Sequence, residues 1–103
     1  MKPLSEIQRQ LKTGYFEFTR HALKRAVERN ISDQEIREAG ENIIVIENYP
    51  EDKYSPSSLL LGFTKGSRAL HIQVSTIESE LTKIITLYEP DKNEWIDHKI
   101  RRK

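Results

Sequence analysis

The stretch from Phe18 to Ser32, FTRHALKRAVERNIS, constrains this chain more than any other. Thr19 can accept hydrogen bonds from the free amides of a first helical turn, and Asn30 tolerates the left-handed conformation that ends a helix. Ser32 followed by Glu35 is a capping box for a second helix. The spacing therefore predicts one helix of roughly three turns with another directly behind it. On a helical wheel Ala22, Leu23, Ala26 and Val27 form one apolar stripe. His21, Lys24, Arg25 and Glu28 face the other way, with Arg20 and Arg29 on the flanks, so four cations and a histidine share one short element.

On the N-terminal side, Leu4, Ile7, Gln8 and Leu11 recur at helical spacing, with Pro3 and Ser5 acceptable at a helix start and Gly14 a good stop. Tyr15 to Phe18 alternates aromatic and polar positions and reads as a brief first strand. On the C-terminal side, Ile36 and Ala39 carry the second helix to Gly40, so the two helices form a hairpin. The period then changes. Ile43 to Tyr49 is β-branched and continuous, a strand ended by the proline-bearing loop Pro50 to Ser57.

Three more strands are expected over Ser58–Thr64, Arg68–Ser75 and Leu81–Glu89, with short links that favour antiparallel pairing. Alternation puts Leu70, Ile72 and Val74 on one face, while Ile85 and Leu87 oppose Thr86 and Tyr88. His71, Gln73, Thr86 and Tyr88 are thus expected to share one polar sheet surface. After Pro90, the segment Asp91–Lys103 is expected to form a short helix docked through Trp95, then a basic tail. The sum is a single α+β domain over residues 1–103. A helical hairpin packs on a small, mainly antiparallel sheet of four to five strands, with short N- and C-terminal helices.

Whole-molecule charge gives no argument for nucleic acid, because 17 basic residues stand against 16 acidic ones for a net +1. The chain has no cysteine, which removes disulfides, thiolate zinc sites and a cysteine nucleophile and suits a reducing interior. No apolar run approaches the roughly 20 residues that span a bilayer, and the start MKPLSE carries no signal-like hydrophobic segment. A cytoplasmic protein without membrane contact is expected. Three histidines without short spacing make no metal ligand set, and phosphate-loop, nucleophile-elbow and Rossmann patterns are missing, so no cofactor is expected.

The order strand, two helices, antiparallel meander resembles the RelE/ParE-like toxin superfamily. More closely, Phe18-Thr19-Arg20-His21-Ala22 with Arg25, Arg29 and Ile31-Ser32, then Leu70-His71-Ile72, then Ile85-Thr86-Leu87-Tyr88-Glu89-Pro90, is similar to the domain-of-unknown-function family 4258. The resemblance covers about residues 15 to 96. It implies a toxin-like protein of a bacterial toxin-antitoxin system, acting as a metal-independent mRNA endoribonuclease or translation inhibitor. Its implied partners are a cognate antitoxin protein and RNA, free or on the ribosome. The pattern departs from the ribosome-dependent cutters in having no cluster of basic strand residues.

Metal-free RNA cleavage needs a base for the 2′-hydroxyl proton, an acid for the leaving oxygen and cations for the charge on phosphorus. His21 and His71 are the candidate proton carriers, and Tyr88 a candidate acid or phosphate donor. Arg20, Lys24, Arg25 and Arg29 are the candidate RNA and phosphate contacts, in a positive groove between their helix and the polar sheet face, with an antitoxin covering that groove. Each residue also has a plainer reading. His21 suits a helix start, His71 can simply hydrogen-bond across strands, the cations can be a solvated helix face, and Tyr88 can pack. The same scaffold without catalysis would be a protein-binding module that uses a sheet edge or groove.

Overall fold

Local capping chemistry sets the helical half of the molecule. A computed structural model describes residues 1–102; Lys103, the end of the basic run, lies outside the described residues. Helix α1 (Leu4–Thr13) stops at Gly14, whose φ of 84° requires the freedom of glycine. Strand β1 (Phe16–Phe18) leads into α2 (Arg20–Glu28), capped by the Thr19 hydroxyl, which accepts from the Ala22 amide at 3.0 Å. Asn30 takes the left-handed conformation, with φ 56°, and the Ser32–Glu35 capping box opens α3 (Asp33–Gly40). All three boundaries are those expected from the caps.

Strands β2 (Ile44–Tyr49), β3 (Ser57–Phe63), β4 (Ala69–Ser75) and β5 (Thr82–Tyr88) form an antiparallel meander. The sheet order is β1-β5-β4-β3-β2, and β1 joins it parallel to β5 with Phe16 opposite Thr82. Five strands, mainly antiparallel, carry three helices on one face. The core lies between the layers: Ile7 and Leu11 of α1, Ala22 and Ala26 of α2, and Ile36 and Ala39 of α3 meet Leu60, Ile72 and Leu87. Arg68 clamps the α2–α3 junction to the sheet. Its guanidinium donates to both Glu35 oxygens at 3.0 Å, to Glu89 at 2.6 Å, and to the carbonyls of Arg29 and Asn30.

Three expectations need correction. The apolar stripe of α2 is only half used, because Ala22 and Ala26 are buried while Leu23 and Val27 are 53% and 74% exposed. The helix thus turns its smallest apolar side chains to the sheet. In β5 the alternation slips where Gln73 pairs with Thr86 but Val74 with Ile84, so Ile84, not Ile85, joins Leu87 in the core. The C-terminal segment is not a helix but a hairpin, β6 (Trp95–Ile96) and β7 (Ile100–Arg101). Three residues, Asp97 to Lys99, connect the strands; Asp97 and His98 have φ of 52° and 64°, and the Lys99 amide closes their turn by donating to the Ile96 carbonyl at 3.0 Å.

Candidate functional site

The register separates two sheet faces. Leu60, Ile72 and Leu87 are aligned on the face that meets the helices; Leu61, His71 and Tyr88 are aligned on the other, as are Leu59, Gln73 and Thr86. The expected surface of His71, Gln73, Thr86 and Tyr88 therefore exists, and no helix among the described residues covers it. The β6–β7 hairpin lies across part of it as a strap. Trp95 is buried there with its ring edge-on to His71, centroids 4.5 Å apart, and the Phe63 and His98 rings meet at 5.8 Å.

Arg101 anchors the strap at its far end. Its guanidinium donates to Glu47 on β2 at 3.0 and 3.3 Å and stands 4.5 Å over the Trp95 ring. The Glu47 carboxyl, which also accepts from the Tyr49 hydroxyl, is held below its ordinary value chiefly by the Arg101 hydrogen bond. Beside the strap opens a groove of about 630 Å³, lined by Tyr49, Asp52, Leu59, Gln73, Tyr88 and Arg101 together with Pro50 and Glu51. On its floor Gln73 donates its amide to Asp52 at 2.9 Å and to the Ser57 hydroxyl at 3.0 Å.

His71 is fully enclosed under the strap, and the environment selects its tautomer. Nε2 lies 2.5 Å from the His98 carbonyl oxygen, which can only accept, so Nε2 carries the proton. Nδ1 is then an acceptor, and it faces the Tyr88 hydroxyl at 3.4 Å. Burial lowers the His71 pKa and raises that of Tyr88, so both groups rest neutral. Tyr88 thus points its proton at His71 and keeps an oxygen lone pair for whatever enters the groove.

His71 and Tyr88 are brought together; His21 does not join them. It is exposed on α2, in the layer behind the opposite face of the sheet. The expected groove between α2 and the polar sheet face does not form, since Ala22 and Ala26 seat α2 on the apolar face. Arg20 and Lys24 point into solvent, and Arg25 pairs with Glu28 at 3.3 Å. Arg29, the residue that caps the C-terminal end of α2, is exposed, accepts from Arg68 through its carbonyl and is not among the residues that line the groove. Tyr49, Asp52 and Arg101 were not singled out in the sequence, where nothing local marks them; Gln73 was placed on the right surface by alternation alone. No cluster of histidine and carboxylates able to hold a metal occurs among the described residues, and none of their helices is long and apolar enough to cross a membrane.

No curated protein and no solved structure matches the chain. A family model does match, over residues 18–89, from the aromatic before the Thr19 cap to the Glu89 that meets Arg68. The chain belongs to the family described as a domain of unknown function, DUF4258.

Proposed function

We propose that this protein is a toxin-like member of the RelE/ParE-like superfamily that acts on RNA in the groove of the open sheet face, cutting messages without a metal or otherwise blocking translation, and that an antitoxin protein restrains it. The observation that carries this reading is the Tyr88–His71 pair at the groove wall with the Arg101 guanidinium at the rim. Metal-free cleavage begins with removal of the 2′-hydroxyl proton. Tyr88 Oη takes that proton as its own passes to His71 Nδ1, and the freed 2′-oxygen attacks phosphorus. Arg101 stabilises the extra charge on the phosphoryl oxygens, and the imidazolium formed on His71 returns its proton through Tyr88 to the leaving 5′-oxygen. His21 takes no part in this scheme.

A second reading, a non-catalytic binding module, is favoured by a different observation: Glu47, Glu51 and Asp52 stand at or beside the groove against the single guanidinium of Arg101. Expression from a tightly controlled promoter, with growth and transcript integrity followed together, separates the two. On the RNA-cutting reading the parent arrests growth and shortens transcripts, Tyr88→Phe and His71→Gln abolish both, and His21→Ala retains both; arrest with intact transcripts assigns a translation block without cleavage. Normal growth with intact transcripts from the folded parent supports the binding module. Arrest that survives Tyr88→Phe refutes the proton scheme.

A further inference from the structure

The helical layer leaves one apolar feature without a role in the core. Because α2 meets the sheet through Ala22 and Ala26, Leu23 and Val27, one turn apart, are turned outward. With Phe18 and Ile31 they wall a second groove, of about 340 Å³, where α2 meets the start of α3. Scattered exposed aliphatics are ordinary on a protein surface, but a Leu–Val pair one turn apart along a groove is the form in which a helix receives another helix.

Charge selects the occupant. Arg20 lies one turn before Leu23 and Lys24 one turn before Val27, so each cation stands a turn away from one of the outward pair, just outside the lining of the groove. Neither enters an ion pair among the described residues, whereas Arg25 is neutralised by Glu28. The one carboxylate lining the groove, Asp33, lies at its far end in the first turn of α3. A second copy of this chain packed about a two-fold axis would set Arg20 and Lys24 against their own counterparts, at a cost in like-charge repulsion.

We infer that this groove docks an amphipathic helix of a partner protein, whose apolar seam sits on Leu23 and Val27 and whose flanking carboxylates meet Arg20 and Lys24. The site is on the opposite side of the sheet from the Tyr88 groove, so the inference does not depend on what that groove does. Two synthetic amphipathic helices of equal length and identical leucine seam, one flanked by glutamates and one by lysines, are titrated into the nitrogen-15-labelled protein.

The glutamate-flanked helix is expected to shift the amides of Leu23, Val27 and Ile31 saturably and to bind about tenfold tighter than the lysine-flanked one. Arg20→Glu with Lys24→Glu reverses the preference, and Val27→Asp, at a solvent-facing position, abolishes the shifts while the circular dichroism spectrum is retained. Equal affinity for the two helices, no saturable shift, or shifts centred on Tyr88 and Gln73 overturns the inference. So does a concentration-dependent dimer that Val27→Asp converts to monomer, which would make a second copy the occupant.

Discussion

Replacing Arg101 with alanine tests whether the β6–β7 strap is held to the sheet as a unit. The change removes two hydrogen bonds to Glu47 and the guanidinium face over Trp95. The Arg101 side chain is 55% exposed and that of Glu47 24%, so the ion pair lies at the modest end, roughly 0.2–1 kcal/mol. The cation over the indole adds about 0.5–1 kcal/mol at such a site. Together these give about 1 kcal/mol, or a roughly fivefold rise in the fraction of molecules with the strap lifted.

Trp95 is the chain's one tryptophan, so its fluorescence reports the strap directly. Iodide quenching of Trp95 and hydrogen exchange at the β6–β7 amides should both rise by about that factor, while exchange in β3 and β4 stays unchanged. If quenching is unaltered, Arg101 does not hold the strap. If exchange accelerates equally in β3 and β4, the strap is no separate unit and the argument from local contacts is wrong.

Gly62→Ala would place a Cβ 2.5 Å from the Ala39 carbonyl oxygen and 2.9 Å from the Ala39 Cβ, and should cost about 1–3 kcal/mol in urea denaturation. Because the nearer contact is backbone, adding Ala39→Gly should not restore stability. Gln10→Ala strips a shared acceptor from the buried Lys2 ammonium, 2.8 Å away, and from the Thr82 hydroxyl, 2.6 Å away. Its expected cost is about 1–3 kcal/mol by thermal or urea unfolding, and Gln10→Glu should recover part of it. The depressed Glu47 carboxyl sets a pH dependence: its contribution is fully present above the ordinary value of 4.5 and drains away as pH falls through the lower folded value. Acid titration of stability should therefore show a smaller loss in Arg101→Ala than in the parent over that window.

Features decided within a few residues were legible in the sequence. The Thr19 cap, the Ser32–Glu35 box, the left-handed Asn30 and the alternation in β4 each act locally, and each has its expected form. The α2 stripe was misjudged because a helical wheel weighs hydrophobicity and knows nothing of interlayer distance; alanine, not leucine, fits where the helix lies close to the sheet. The C-terminal hairpin was hidden because Asp97 and His98 occupy left-handed positions that turn signals assign to Asn-Gly. Of the sheet groove, Tyr88 and His71 were visible by type and Gln73 by face. Arg101 and Glu47 were not, since they meet across a span of 54 residues.

The parallel β1–β5 pairing carries a consequence for biosynthesis. The hydrogen bond from Thr19 to the Ile85 carbonyl spans 66 residues, and the one from Thr82 to Gln10 spans 72. While the chain emerges from the ribosome, α1 can already pack on α3, but β1 has no strand partner until the β5 segment has cleared the exit tunnel. The meander of β2 to β4 can assemble earlier, leaving an open edge beside β4 until β5 arrives, with β1 closing last. Premature termination before residue 82 would release a molecule with its amino-terminal strand unmatched and its core open, a ready substrate for quality-control proteases.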